Sequence, residues 1–461
     1  MRNQSTLIKD MALTRRQVLR GLGATAAAVL LAACQPTPTP KPQNTAVPKP
    51  AETKVPTAAP APKQPVTIRT HVRTGSQGDY WQKQAEAYMQ TQSEVKVTVE
   101  QTPGTEYEQK LTTLVAGGEL GDSFWAAPFI VFYPFSARGV CLDLKPLVEA
   151  EKEDLSGFFP GVVQQLSWKG KLMGWPLGIH QGYAALFANL DAFKEAAIPQ
   201  PEWEWTYEKD FLPAVKALTI DKNKDGTPDR YGFTFGYNAQ TALTFIRSWG
   251  GDWISPQDGA KSQVTSPETT AALLFMHELV HKHNVSPTQA GIVQNIFANG
   301  LTATWCEGIW NILPQKTLIK DQFKWQVFAM PAGPGGRGGF VGIDTVCINQ
   351  KSKEPAAAFK WHRWLTRKEA TVPQMEAGFT PPARVAAWQE PPLGNDVNYQ
   401  PAFRWLQQVK PWTVPGNARA SEFVTAFNQG FQAFMLEKAN PKAKIEELSR
   451  ALQDVLDKPS L

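Results

Sequence analysis

A proline-rich stretch at residues 35–65 decides where the folded body of this 461-residue chain can begin. Ten of its residues are Pro, and most of the others are Thr, Ala or Lys. Proline holds φ at about −65° and has no amide hydrogen, so neither a helix nor a sheet can run through such a segment. The composition predicts a semi-extended tether. The folded body is therefore expected at residues 66–461, a length that suits two lobes.

The 34 residues before the tether have the three parts of an export signal. Arg15, Arg16 and Arg20 form a basic region, and an Ala-rich apolar run at residues 21–31 is too short to span a bilayer. Residues 14–19 resemble a twin-arginine signal, with Val18 where that signal usually has Phe. Residues 31–34, Leu-Ala-Ala-Cys, resemble a bacterial lipobox. This resemblance implies cleavage before Cys34, lipidation of its thiol, and anchoring to the outer face of the cytoplasmic membrane.

The charge of the body argues against a nucleic-acid-binding domain, and its cysteine content argues against a disulfide-rich one. Residues 1–65 contain nine Lys or Arg and two Asp or Glu, so the remaining chain has a net charge of −2. A nearly neutral body lacks the basic surface of a nucleic-acid-binding domain. Only Cys141, Cys306 and Cys347 remain in the body, and three cysteines do not make a disulfide framework, although one bridge stays open.

The body begins with alternating strands and helices. Strands are predicted at residues 66–72 and 95–99, with helices at 80–91 and 107–116, an order typical of an α/β lobe with a mostly parallel sheet. Further helices are predicted at residues 191–197, 207–218, 269–283, 355–365 and 422–436. In the last of these, four phenylalanines at helical spacing predict a buried face: Phe423, Phe427, Phe431 and Phe434.

Four stretches of the body resemble the bacterial extracellular solute-binding proteins of the sugar-binding type, which include the maltose-binding proteins. They are residues 168–176 (WKGKLMGWP), residues 187–205, residues 248–253 (SWGGDW) with 265–268 (TSPE), and residues 297–310 with 328–333. The resemblance implies an α/β fold of two lobes with mixed sheets, hinge crossings and a central cleft. It divides the body into lobe 1, residues 66–177 plus about 330–385, and lobe 2, residues 178–329 plus about 386–461.

The resemblance also implies a function. We expect a monomeric binding protein without catalysis that closes its cleft on a carbohydrate and delivers it to the permease subunits of an ABC importer. It requires no cofactor and binds no nucleic acid. Three alternatives stay open: the same fold binding a sugar phosphate, a peptide or another non-sugar solute; a receptor that signals to a sensor partner; and a zinc peptidase.

A carbohydrate site needs flat aromatic faces and polar side chains that fix the hydroxyl groups. By the family's pattern Trp310 and Trp125 are expected to stack on the sugar, and Trp249 is a third candidate. Pro128 replaces an acidic residue of the maltose-type proteins. The remaining expected contacts lie near the lobe crossings or beside these tryptophans: His180, Gln181, Tyr183, Glu307, Asp344 and Arg384.

Two short motifs could bind metals. Residues 277–281, His-Glu-Leu-Val-His, fit the zinc-peptidase pattern H-E-x-x-H, and Glu307 has the spacing of a third ligand. Helical periodicity, however, predicts that His277 and His281 lie opposite the apolar stripe and face water. The other motif has oxygen ligands at alternate positions, which suit a structural calcium ion or a plain acidic turn: Asp221, Asn223, Asp225, Thr227 and Asp229.

Overall fold

The computed structural model describes residues 64–408, residue 411 and residues 413–461. The predicted export signal, Cys34 and nearly all of the tether lie outside the described residues. In the described ranges no helix combines the length and the apolar character needed to cross a membrane. In this part of the chain Cys141, Cys306 and Cys347 are buried, and no disulfide joins any two of them.

Strands and helices alternate along most of the described chain. The strands are β1 (Val66–Arg73), β2 (Val95–Thr102), β3 (Ser123–Ala126), β4 (Ser167–Trp168), β5 (Lys171–Leu172), β6 (Trp175–His180), β7 (Ala185–Asn189), β8 (Tyr231–Phe235), β9 (Thr302–Glu307), β10 (Trp325–Ala329) and β11 (Gly342–Ile348). The α-helices are α1 (Ser76–Thr91), α2 (Tyr107–Gly117), α3 (Tyr133–Ala137), α4 (Lys145–Ala150), α5 (Val162–Gln165), α6 (Leu190–Glu195), α7 (Leu212–Leu218), α8 (Ala239–Ser248), α9 (Pro267–His281), α10 (Ile312–Ile319), α11 (Pro355–Leu365), α12 (Thr371–Glu376), α13 (Val385–Gln389), α14 (Gln400–Leu406), α15 (Ala420–Leu436) and α16 (Pro441–Leu456).

The strands form two main sheets and one hairpin. The first sheet has the order β2-β1-β3-β11-β6, and the second has the order β10-β7-β9-β8. In the first sheet β11 is antiparallel to both neighbours, so it runs against the other four strands. In the second sheet β8 and β9 are parallel, whereas β7 is antiparallel to β9 and β10. We call the first sheet with its helices lobe 1 and the second lobe 2.

The alternation of residues in β1 decides which of its side chains are buried at the start of lobe 1. Ile68, Thr70 and Val72 point to the buried face, and α1 covers that sheet with Trp81, which has no exposed surface. The helix returns the chain so that β2 pairs in parallel with β1, from Val66 opposite Val95 onward. The predicted strand–helix–strand–helix order and the parallel pairing of these strands are confirmed.

The chain crosses between the sheets at residues 181–184, from β6 to β7, and at residues 330–341, from β10 to β11. Pairing of β6 with β11 continues to His180, opposite Gly342. The carboxyl ends of β1, β3 and β6 therefore lie at the same edge of lobe 1 as the start of β11. In lobe 2 the start of β7 pairs with the end of β9, at Ala185 and Glu307. The exact residue boundaries of the two lobes stay predictions.

The aromatic stripe of α15 is confirmed, because its four phenylalanines are completely buried. The predicted helix at residues 207–218 differs from the structure in its first part. Residues Tyr207–Phe211 form a π-helical turn, in which the Phe211 amide donates to the Thr206 carbonyl over 3.0 Å. Pro213 has no N–H to donate to the carbonyl four residues earlier, so the regular α-helical pattern is interrupted there.

Candidate functional site

Three side chains from different strands meet at the inner edge of lobe 1. The indole Nε1 of Trp125, on β3, donates to Oδ1 of Asp344, on β11, over 3.2 Å. The guanidinium carbon of Arg73, the last residue of β1, lies 3.8 Å from the centroid of the Trp125 ring, a cation–π contact. Trp125 and Asp344 were predicted, whereas Arg73 was not. The sequence feature that could have identified Arg73 is a basic residue at the end of an alternating strand. Ligands of open α/β sheets bind at the strand ends.

His180, at the end of β6, joins this edge to lobe 2. Its ring centroid lies 4.7 Å from that of Trp310, and the two rings are nearly perpendicular. The Gly182 amide donates to Nδ1 over 3.0 Å, so the proton of the neutral ring is on Nε2. Burial lowers the pKa of His180 to about 4, although the Asp344 carboxylate acts in the opposite direction. His180 is therefore uncharged at neutral pH.

On the lobe 2 side, Tyr183, Glu307 and Trp310 form the facing edge. The rings of Tyr183 and Trp310 are 5.1 Å apart between centroids and nearly perpendicular. The Trp310 indole lies against the backbone of Gly308, so a side chain at position 308 would have to displace the indole. Burial raises the pKa of Glu307 to about 7, and a hydrogen bond from the Gly308 amide opposes that change. Burial and the nearby Glu307 also raise the pKa of Tyr183.

Gln181 lies in the first crossing, between the two edges. Its side chain is 1% exposed, and its Oε1 atom has no hydrogen-bond partner among the described residues. We use the name edge cluster for the residues of both edges and this crossing: Arg73, Trp125, His180, Gln181, Tyr183, Glu307, Trp310 and Asp344. The cluster combines aromatic rings with polar groups, and this combination is typical of sites for ligands that carry hydroxyl groups.

Two predicted residues lie outside the edge cluster. Trp249 packs within lobe 2, with its ring centroid 5.1 Å from that of Tyr207 and 4.9 Å from that of Phe275. Its placement is that of a core residue. Arg384 lies on lobe 1, where its guanidinium is 4.5 Å from the Phe158 ring centroid and 3.4 Å from a Glu153 carboxylate oxygen. These contacts give Arg384 a packing role instead of bringing it to the cluster.

The prediction that His277 and His281 face water is wrong. His277 is 7% exposed, because the end of α15 and the residues after it cover this side of α9. The Nε2 atom of His277 lies 2.5 Å from the Glu437 carbonyl oxygen, and that of His281 lies 2.7 Å from the Met435 carbonyl oxygen. The periodicity of α9 could not reveal this, because the covering segment is more than 150 residues away in sequence.

The same contacts give no support to the zinc-peptidase alternative. Both Nε2 atoms are directed at main-chain carbonyl groups at the end of α15, so these two nitrogens are already engaged by the fold. Glu307 belongs to the edge cluster on β9. Over the part of the chain that the structure describes, no three His, Cys, Asp or Glu side chains are grouped so that they could hold a metal ion. The geometry therefore gives this alternative no site.

A cavity of about 1340 Å³ also lies between the lobes, but it shares no lining residue with the edge cluster. Lobe 1 contributes Trp168 and Lys169 to its wall, and lobe 2 contributes Arg247, Asp258 and Glu268. Gly339 lines this cavity, whereas the neighbouring Phe340 faces His180. The second crossing thus separates the cavity from the edge cluster.

Solved structures of other proteins share this fold. An ABC substrate-binding protein from Listeria monocytogenes, in complex with cycloalternan, has a TM-score of 0.73 at 21% identity and covers 85% of this chain and 99% of its own. The sugar-binding protein MalE from Xanthomonas citri has the same TM-score and identity and covers 85% and 97%. The predicted two-lobe, mixed α/β binding-protein fold is confirmed.

Sequence comparison then defines the family. The sequence profile described as bacterial extracellular solute-binding protein matches residues 83–401, more than half of the chain. The chain therefore belongs to the family of bacterial extracellular solute-binding proteins. A putative binding protein of Brucella abortus is 24% identical to it over 405 residues, which is 83% of this chain and 90% of the relative.

The raised pKa of Glu307 predicts a pH-dependent stability. Below about pH 4.5 the carboxyl is protonated in the folded and unfolded states, whereas above pH 7 the folded state must bury a carboxylate. We expect Glu307→Gln to match the wild type at pH 3.5, below both pKa values, and to exceed its unfolding free energy at pH 8 by up to about 3 kcal/mol. Urea denaturation at both pH values measures this difference. The exposed Glu446→Gln serves as a control, and an equal effect of Glu307→Gln at both pH values would contradict the assignment.

Proposed function

We propose that this protein captures a carbohydrate outside the cytoplasmic membrane and delivers it to the permease subunits of an ABC importer. The observation that carries the proposal is the edge cluster, in which the rings of Trp125 and Trp310 stand on opposite lobes around partly buried polar side chains and the buried Gln181. Aromatic faces bind the C–H surface of a sugar ring, and polar groups fix its hydroxyls. The names of the Listeria and Xanthomonas proteins, which bind cycloalternan and sugars, agree with this chemistry.

Closure would follow from the placement of the two edges. Because the edges belong to different lobes and are joined by two crossings, a ligand that contacts both favours the conformation in which they meet. Its effect on that equilibrium is limited by the difference between its affinities for the two conformations. The importer's permease would bind the closed form, the protein would act as a monomer, and the chain itself would perform no catalysis.

The charge of the edge cluster favours neutral ligands over phosphates. His180 is uncharged at neutral pH, and Arg73 is the only Lys or Arg among the cluster residues. The guanidinium of Arg73 is stacked on the Trp125 ring, and the carboxylate of Asp344 accepts a hydrogen bond from the same indole. A sugar phosphate would need several cationic or N–H donors around its phosphate group. Sugar phosphates and peptides therefore serve as alternatives in the binding test.

The first test is thermal unfolding of the full chain with mono- and oligosaccharides, sugar phosphates and short peptides. A ligand specific for the folded state adds about 2.7 kcal/mol of stability at a hundredfold excess over Kd. We expect a saccharide to raise the midpoint, and Trp310→Ala to weaken its binding about tenfold through loss of roughly 1.4 kcal/mol of stacking.

Trp364→Ala is the matched control, because Trp364 is a half-buried tryptophan of lobe 1 that packs on Tyr88 and Arg367. It should lower the midpoint without weakening saccharide binding. A midpoint that rises only with sugar phosphates or peptides would contradict the carbohydrate proposal, and so would equal effects of the two tryptophan variants on affinity.

The mature protein is proposed to be a lipoprotein, exported by its twin-arginine-like leader and held by Cys34 and the tether. Mass spectrometry of the protein from membranes should find the chain starting at Cys34 with a diacylglyceryl group on the thiol. Cys34→Ala should release the protein from the membrane fraction. Recovery of the wild-type chain with an intact leader, or without lipid on Cys34, would contradict this.

A structural calcium ion stays a proposal for the loop at residues 221–229, and it requires the three aspartates of the loop to move together on binding, because in the described residues they are not grouped to hold a metal ion. Asp221 Oδ2 accepts the Gly226 amide over 3.0 Å, while its Oδ1 has no partner among the described residues. Asp229 Oδ2 accepts the Lys222 amide over 2.7 Å, so the loop already satisfies part of its own ligand set. We expect Ca²⁺ added after EDTA to raise the unfolding midpoint of the wild type but not of Asp221→Asn. An unchanged wild-type midpoint would leave a plain acidic turn.

A further inference from the structure

Lobe 2 contains a pocket of about 310 Å³ immediately beside the edge cluster. It lies where β8 and β9 end, between the loop at residues 292–297 and α10. We call it the lobe 2 pocket. Aromatic side chains form part of its wall, namely Phe235, Phe297 and Trp305. Its rim includes Val293 and Leu318, which are 48% and 39% exposed, so the pocket can be reached from solvent.

Two buried polar atoms in the lining of this pocket have no hydrogen-bond partner among the described residues. Gln315, on α10, is 3% exposed, and its Oε1 atom has no hydrogen-bond partner among the described residues. Thr234, on β8, is 1% exposed, and the same is true of its Oγ1 atom. A buried polar atom without a partner costs about 1–3 kcal/mol, so nearly all such atoms in folded proteins are paired. Both side chains line the pocket, and an occupant can supply the missing hydrogen bonds.

One residue, Glu307, belongs both to the edge cluster and to the lining of the lobe 2 pocket. Glu307 lines the pocket and also lies close enough to Tyr183 to raise that residue's pKa. Asn311 lines the pocket next to Trp310, in the 3-10 turn Ile309–Asn311. A ligand that contacts Trp310 and Glu307 from the cleft is therefore separated from the pocket by no more than the width of one side chain.

The chemistry of the wall defines its occupant. The described residues that line the pocket include no Lys, Arg or His, so they offer no counter-charge for a phosphate or carboxylate. Gln315 Oε1 can only accept a hydrogen bond, and Thr234 Oγ1 can donate or accept. Polar atoms of this kind beside aromatic rings fit a neutral ring that carries hydroxyl groups.

We propose that the lobe 2 pocket, through Gln315 and Thr234, holds a terminal sugar ring, so that the ligand is a saccharide of at least two rings. This inference rests on the proposed function, because it extends the edge cluster by one subsite. A single ring in the cleft leaves the pocket unused. A longer saccharide fills it and gains the hydrogen bonds of both side chains.

The test compares saccharides of different length on the full chain. The probes are glucose, galactose, mannose and xylose, each with its di- and trisaccharide, and affinities are measured by calorimetry and thermal unfolding. Gln315→Leu removes the acceptor at nearly equal size, and because it also removes an unpaired buried polar atom it should fold at least as well as the wild type. Gln322→Leu, an exposed change of the same kind just after α10, is the matched control.

We expect one sugar series in which the di- or trisaccharide binds at least tenfold more tightly than its monosaccharide. Gln315→Leu should remove most of that gain and leave monosaccharide affinity unchanged, whereas Gln322→Leu should change neither. Equal affinity for short and long saccharides, unaffected by Gln315→Leu, would overturn the subsite and leave carbohydrate capture standing. Absence of binding by every saccharide would overturn the proposed function and the subsite with it.

Discussion

The ring of His180 lies so close to the backbone of Gly342 that any Cβ atom there would overlap it. This contact sits on the last pair of the β6–β11 ladder, directly before the chain leaves lobe 1 for lobe 2. Gly182, in the crossing itself, donates its amide to the same ring and has room for no side chain beside Phe340. Both crossings are thus packed around one imidazole. On the lobe 2 side Trp310 packs against this ring and Tyr183 packs against Trp310, whereas Trp125 and Asp344 are placed by the pairing of β3 with β11.

Burial disfavours the charged forms of His180 and Glu307. His180 titrates only near pH 4, and Glu307 titrates near pH 7 and not in the usual acidic range. Both shifts favour the uncharged form, and both have desolvation as their main cause. Exclusion of water also strengthens every hydrogen bond that a ligand makes there, because the local dielectric constant is low. A neutral, hydroxyl-rich solute suits this environment better than an ion, since it brings no further charge that must be desolvated.

Most helices and strands could be predicted from the sequence, because hydrophobic periodicity and composition are properties of short segments. Alternation in residues 66–72 and the phenylalanine spacing in α15 predict a strand and a buried helix face, and both are found. Most of the predicted site residues also meet in the edge cluster, since they follow motifs at strand ends. Trp249 does not, because the same Trp-Gly-Gly pattern also allows packing against Tyr207 and Phe275.

The remaining features depend on contacts between distant parts of the chain. The environment of His277 is decided by Glu437, 160 residues further along, and no single-helix pattern contains that information. Arg73 reaches the site because β1 lies beside β3, and the lobe 2 pocket exists because α10 covers the ends of β8 and β9. Sequence period shows which face of an element is buried, whereas pairing between elements decides what covers it.

The central claim is that a ligand is bound where the two sheet edges meet. Hydrogen–deuterium exchange with and without a saccharide that raises the unfolding midpoint tests it most directly. The account predicts added protection on both lobes together, in peptides covering residues 123–126, 178–184, 305–311 and 342–345. Peptides from α16 should remain unchanged. Protection confined to one lobe, or to the cavity lined by Trp168 and Arg247, would contradict binding at the edge cluster.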